Sequence, residues 1–238
     1  MRDILFRDLS GMAEFSEAEA LQRAVWGEGD KEDPADLMMV VQHEGGLAAG
    51  AFRNGQMLGY VFAFPTATPG VQHSHRLAVR AEARGLGLGL RLKWYQRDWC
   101  LARGISHVRW TYDPLRLANA SLNIHRLGAE ANHYLPDYYG AMEGINKGAP
   151  SDRLMADWWL NSPRVAACAA GNTLPADPVE TLEIPEDFGA LLQDDPHLAH
   201  ALRLHSRAVL QAAFARGLKI AGFDPTKRSY LLCPADPA

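Results

Sequence analysis

Cysteine is scarce in this chain. Cys100, Cys168 and Cys233 stand far apart and give neither a disulfide framework nor the CxxC spacing of a zinc or redox site, so three free thiols are expected. An excess of positive charge is missing too: 24 lysines and arginines face 28 aspartates and glutamates, for a formal net charge of −4. With no basic field, and no cluster of basic and aromatic residues in the C-terminal tail, neither a nucleic acid nor an anionic membrane is an expected partner, and any anion must be met locally. No apolar run approaches the roughly 20 residues of a membrane span, and the opening "MRDILFRDLS" is too charged for a signal-peptide core, so the expected location is cytoplasmic. What the chain does have is 47% hydrophobic residues over 238 positions, enough to bury a sizeable core.

The hydrophobic period alternates between strand and helix. "ILFRDLS" reads as a short strand, and "GMAEFSEAEALQRAVWG" as a helix carrying Ala13, Leu21, Ala24 and Val25. A second helix is expected from Pro34, with Asp33 as its capping residue. Asn54-Gly55 then marks a hairpin between "GLAAGAFR" and "QMLGYVFAFP", because both central residues of a type I′ turn need positive φ. In the next strand, "VQHSHRLAV", simple alternation puts His73, His75, Leu77 and Val79 on one face and Ser74, Arg76 and Ala78 on the other. Leu88, Leu92, Tyr95, Trp99 and Ala102 mark one face of a helix that ends at Gly104. "ISHVRWTYDPL" is a strand, "LANASLNIHRLG" a short helix, and "DRLMADWWL" a further strand whose Trp158 and Trp159 point to opposite faces.

Between the strand that ends at Val79 and the helix after it lies "RAEARGLGLG". A bare backbone at a helix N-terminus presents unpaired N–H groups at the positive end of the helix dipole, which suits a phosphate or pyrophosphate. Two nucleotide motifs are excluded directly. A Walker A loop needs Gly-Lys-Ser/Thr, but Gly89 is followed by Leu90 and Arg91. A GxGxxG fingerprint begun at Gly85 and Gly87 requires a small residue at 90 and finds Leu90.

The pattern that fits is R-x-x-G-x-G, formed by Arg84, Gly87 and Gly89. It resembles the coenzyme A pyrophosphate loop of the GNAT (GCN5-related N-acetyltransferase) superfamily. "WTYDPL", "NASLN", "LGA", "YYG" and "PSDRL" are similar to elements shared within one branch of that superfamily. The resemblance covers about residues 1–165. It implies an α/β (α+β) fold with a bent mixed sheet flanked by helices, splayed between its fourth and fifth strands to take an acyl-CoA, acetyl-CoA or another, and no metal. By position, the backbones of Leu77 and Val79 would meet the pantetheine arm. The amides of Gly85, Leu86, Gly87, Leu88, Gly89 and Leu90 would hold the pyrophosphate, with Arg84 adding charge. Asn119 and Asn123 join the cofactor-binding set.

The implied reaction is acyl transfer to the amine of a small molecule, an amino acid among the candidates, by direct attack in a ternary complex. It needs a base, because an α-amine with a pKa near 8 is mostly protonated at neutral pH. The superfamily often places a carboxylate on its fourth strand, and the matching position here is His73, with His75 in reserve. Two histidines this close also raise the question of a metal, but no carboxylate or cysteine at ligand spacing accompanies them. Many relatives carry a tyrosine in the helix after the fifth strand, as acid for the departing thiolate, where this chain has Ile124. Tyr138 and Tyr139 are the replacements on offer. If none serves, the alternative is a non-catalytic acyl-CoA binding or sensing module. Among several arginines suited to a carboxylate, Arg153 of "PSDRL" is favoured for the acceptor side, with Asp152 beside it to meet an ammonium or pair with that arginine.

The domain plan is a core over residues 1–162, a connector over 163–180, and a C-terminal helix plus β-hairpin extension over 181–238. The helix, begun by Asp195-Pro196, carries a stripe of Leu198, Leu202, Val209 and Ala212. The extension either completes the core sheet or forms a companion layer, for which a homodimer partner is one source.

Overall fold

A computed structural model describes residues 4–27, 31–140 and 150–235. The chain divides into two compact units, residues 1–109 and 110–238.

The first unit is built on antiparallel strands β1 (Leu5–Asp8), β2 (Leu47–Arg53), β3 (Gln56–Pro65) and β4 (Val71–Val79), neighbours in that order. Asn54 and Gly55, with φ of 53° and 80°, close the expected hairpin between β2 and β3. Helices α1 (Met12–Trp26) and α2 (Ala35–His43) precede β2, and α3 (Leu88–Leu101) follows β4. Both sheet faces are covered, which is why β2 and β3 are buried almost without interruption rather than at alternate residues. One face packs Phe15, Ala18, Leu21 and Met38 of α1 and α2 against Ala48, Tyr60 and Phe62. The other packs Leu88 and Leu92 of α3 against Leu47, Ala49, Val61 and Ala63. β5 (His107–Tyr112) begins in this unit, where Val71–His73 of β4 pair in parallel with its first three residues, His107 to Arg109.

The second unit orders its strands β5, β7 (Arg153–Trp159), β6 (Glu130–Leu135), β9 (Leu218–Asp224), β10 (Ser229–Pro234) and β8 (Glu180–Glu183). The C-terminal hairpin joins this sheet through the pairing of Ala131 on β6 with Ile220 on β9. Trp158 is fully buried, donates Nε1–H to the Leu127 carbonyl at 2.8 Å and meets Trp110 edge-on; Trp159 is exposed. The stretch read as a connector contains a helix, α5 (Pro163–Ala169). Ser162 caps it by accepting from the Val165 N–H, Pro163 sits at its first turn, and alanines fill it. A further helix, α6 (Phe188–Asp194), is capped by Asp187.

Helix α7 (Pro196–Ala215) starts as expected, on Asp195, but its buried stripe is Ala199, Arg203, Ser206, Leu210 and Ala213. That is one residue out of phase with the apolar stripe read from the sequence, and Leu198 stays exposed. The reason is ionic: Arg203, 1% exposed, donates from Nη2 to Asp113 Oδ2 at 2.7 Å, and the helix turns to bring it there. Among the described residues no helix is long and apolar enough to cross a membrane.

Candidate functional site

In the first unit a single helical turn, Ala81–Ala83, follows β4, and Arg84 to Gly87 lie exposed before α3 begins. Gly85 and Gly87 have φ of 83° and 68°, so the backbone itself requires glycine at both. Gly87 takes the cap position of α3 without a side-chain cap, which leaves the first-turn N–H groups pointing out of the positive end of the helix. Gly89 is a different case. It lies inside α3, and an added Cβ would meet only Leu77 Cδ2 at 3.7 Å and Val79 Cγ2 at 3.9 Å, ordinary contact distances. Neither the turn nor the packing asks for glycine there, although alanine favours helix by up to about 1 kcal/mol.

β4 does not alternate as the sequence suggests. It pairs Phe62 with Arg76 and Ala63 with Ser74, so His75 is an extra residue, a β-bulge. The bulge reverses the phase of the strand. Leu77 and Val79 pack on the α3 face and Ala78 on the α1–α2 face, whereas Ser74, before the bulge, is bonded to α3 residues and His73 turns away from it. His73 therefore does not share a face with Leu77 and Val79. It stacks on Phe64, ring centroids 4.9 Å apart. Burial, helped by the charges of His75, Arg109 and Lys93, pulls the His73 imidazole down to about 4, so it is neutral across the physiological range.

His75 sits against Phe62 and Phe64 and places Nε2 3.3 Å from Asp33 Oδ1. Asp33 is not the cap of α2: Pro34 holds that position with no side-chain bond, and the Asp33 carboxylate is turned to Arg76 and His75 instead. Burial alone would raise its pKa, but hydrogen bonds and charges from those two side chains hold it below the usual carboxylate value. Asp33 is the residue that sequence reasoning missed here, because an aspartate before Pro34 fits a capping role equally well.

Behind β4 lies a buried polar chain. Lys93 donates to Ser74 Oγ at 3.0 Å and Gln96 Oε1 at 2.7 Å, and Gln96 donates to Gln72 Oε1 at 2.8 Å. Burial brings the Lys93 ammonium down to about 7. Tyr95 and Trp99, on the expected helix face and packed against the core, also anchor Asp8 through OH at 2.7 Å and Nε1 at 3.2 Å.

In the second unit the motif aspartates prove structural. Asp113 of "WTYDPL" accepts from the Leu115 N–H as well as from Arg203. Asp152 of "PSDRL" is fully buried and accepts from Arg207 Nη2 and Nε, Tyr134 OH and the Asp137 N–H, at 2.6 to 3.0 Å. Those four bonds occupy both oxygens, so Asp152 is not open to a substrate ammonium, and its ion-pair partner is Arg207 rather than the adjacent Arg153. Arg153 is 8% exposed, gives Nη1–H to the Asp152 carbonyl at 2.8 Å, and lies over the Tyr139 ring. Tyr138 and Tyr139 are exposed and edge-on to each other, with Tyr139 OH 2.8 Å from Thr111 Oγ1. Helix α4 (Leu117–Ala120) widens into a π-turn, Ser121–Arg126, in which Asn123 and Ile124 are buried; Asn119 is half-buried. Among the described residues no group of three or more His, Cys, Asp or Glu side chains is placed to hold a metal ion.

Residues 11–129, half of the chain, match the model of the Acetyltransferase (GNAT) family. No curated protein sequence matches. Among solved structures, the chain is similar to the ribosomal-protein-S18-alanine N-acetyltransferase of Escherichia coli, at 16% identity and TM-score 0.56 over 67% of this chain and 96% of that one. A putative acetyltransferase of Salmonella typhimurium with its cofactor acetyl-CoA is similar at 18% identity and TM-score 0.54, over 67% and 95% of the two chains. An aminoglycoside 6'-N-acetyltransferase complexed with coenzyme A matches at 16% identity and TM-score 0.53, over 66% and 98%. At these identities the structural likeness concerns the fold.

Proposed function

Because this chain belongs to the Acetyltransferase (GNAT) family, we propose that it transfers an acetyl or succinyl group from acyl-CoA to the amine of a small molecule, an amino acid among the candidate acceptors. The observation that carries the cofactor reading is Gly89, a helix glycine that neither backbone conformation nor packing requires, beside two glycines that the loop does require. Bound there, acyl-CoA supplies a thioester carbonyl to the amine. The N–H groups from Gly85 to Leu90 would hold its pyrophosphate, Arg84 would add a positive charge, and the backbones of Leu77 and Val79 would border its pantetheine arm. Asn119 and Asn123 remain candidate cofactor contacts. The machinery is assigned to residues 1–162, with 163–180 leading into the C-terminal extension.

A base on β4 takes one proton from the acceptor ammonium. The freed nitrogen lone pair bonds to the acyl carbon while the C–S bond breaks, its electron pair leaving on sulfur. A second proton leaves the nitrogen and one is taken up by sulfur, so the turnover releases an amide, a thiol and one net proton. Of the two histidines, the geometry favours His75 as the base, since His73 is desolvated and stacked on Phe64 and is a weak proton acceptor. His73 then lines the site. Tyr138 and Tyr139 are the candidate donors to sulfur, and Arg153, with its planar fork, is the candidate partner of an acceptor carboxylate.

The buried Ile124 in place of the relatives' tyrosine is what favours a non-catalytic acyl-CoA binding module as the second reading. A thiol-release assay with acetyl-CoA and succinyl-CoA against a panel of amino acids and other small amines decides between them. Release that depends on an amine is expected. Measurable coenzyme A binding with no release above background for any amine would sink the enzyme reading.

A further inference from the structure

We infer that Asp33 is a positioning residue that fixes the His75 imidazole with its proton on Nε2, leaving Nδ1 as the atom that takes the acceptor's proton. This rests on the acyl-transfer reading above and deepens it. The bulge in β4 frees His75 from strand pairing, and Asp33 faces it from the segment that leads into α2. An ionised carboxylate accepts hydrogen bonds and cannot donate them, so the 3.3 Å contact from Nε2 to Asp33 Oδ1 requires the hydrogen on Nε2. In the neutral ring the lone pair is then on Nδ1.

Asp33 is held with more care than a surface ion pair needs. Gln22, 1% exposed on α1, accepts from the Asp33 N–H at 2.8 Å and donates to its carbonyl at 3.2 Å. Arg76 fixes the second carboxylate oxygen, donating from Nε to Oδ2 at 3.0 Å. Arg76 is itself fixed, over the Trp26 ring at 4.8 Å and on the Lys31 carbonyl at 2.6 Å. The backbone and one oxygen of Asp33 are thereby immobilised, and the other oxygen is presented to His75. Orientation of this kind matters because a base must meet its proton within hydrogen-bond reach.

Asp33→Asn is a discriminating change. Its amide oxygen still accepts from Arg76, but its NH2 now donates to Nε2 of His75, which moves the ring hydrogen to Nδ1 and removes the lone pair from the reacting position. Long-range ¹H–¹⁵N NMR of the histidine rings reads the tautomer, with His75→Gln assigning the signal. Steady-state kinetics with acetyl-CoA and the best amine read the consequence. We expect the Nε2–H form in the wild type and the Nδ1–H form in Asp33→Asn, with kcat at least tenfold lower and the KM for acetyl-CoA within twofold. Asp33→Glu, which keeps a carboxylate, should recover the tautomer and part of the rate. An Nδ1–H wild type overturns the inference even if Asp33→Asn fails to fold, and so does an Asp33→Asn or His75→Gln enzyme with wild-type kcat. A wild type inert toward every amine overturns the acyl-transfer reading itself, a result distinct from an active wild type indifferent to Asp33.

Discussion

Gly89, set against Gly85 and Gly87, separates two roles that glycine plays where the loop meets α3. Gly85 and Gly87 are tied to positive φ, so replacing either strains the backbone and confuses folding with binding. At Gly89 an added Cβ meets only ordinary contacts, and alanine is a better helix former than glycine. Gly89→Ala should therefore leave the melting temperature unchanged or raise it, while weakening coenzyme A binding measurably by calorimetric titration. Retained binding would return the glycine to chance. The motif that led to this loop was legible because positive φ at Gly85 and Gly87 writes glycine directly into the sequence. The bulge at His75 was not, since an extra residue in one strand leaves no mark in that strand's own alternation, and every face assignment before it is reversed.

At the scale of elements, α7 shows why an apolar stripe is an incomplete guide to the rotation of a helix. Two arginines one turn apart, Arg203 and Arg207, reach Asp113 and Asp152, and Arg203 takes a place on the buried face beside Ala199, Leu210 and Ala213 while Leu198 stays exposed. The same holds in α3, where Lys93 and Gln96 are buried and Tyr95 and Trp99 are only partly so. Most other helices and strands were readable from their period, but β6 and α6 went unread, and α5 escaped because its alanines and prolines resemble a linker in composition. Removing one partner of a buried ion pair strands the other, at a cost of about 3–5 kcal/mol. Arg203→Met should accordingly lower unfolding stability by that order, with Asp113→Asn in the same background adding little. A double-mutant cycle by urea denaturation measures it, and full additivity would show that the pair is not coupled.

For the molecule as a whole, two desolvated bases make stability depend on pH with the same sign. Lys93 has a native pKa of about 7 against an ordinary 10.5, so across that interval the unfolded chain holds a proton that the native one does not. Its contribution is complete above 10.5 and is lost as pH falls through about 7. His73, at about 4 against 6.5, contributes in full above 6.5 and loses that contribution as pH falls through about 4. Each slope reaches at most about 1.4 kcal/mol per pH unit. Urea unfolding from pH 4.5 to 9.5 should show stability rising with pH in both windows. Lys93→Met is expected to flatten the upper window and His73→Phe the lower one, and an unaltered profile in either variant would exclude that residue as the source.

The pairing of Ala131 with Ile220 carries a consequence for how the chain is made. A polypeptide emerges from the ribosome N-terminus first, and domains generally fold as units in that order. Every strand of the first unit is present once residue 109 has emerged, whereas the second unit waits for β9 and β10 near the end of the chain. Until then Asp113 and Asp152 have not met Arg203 and Arg207, and the β6 edge has no β9 to cover it. Synthesis that pauses after β7 would thus leave the β6 edge uncovered until β9 emerges.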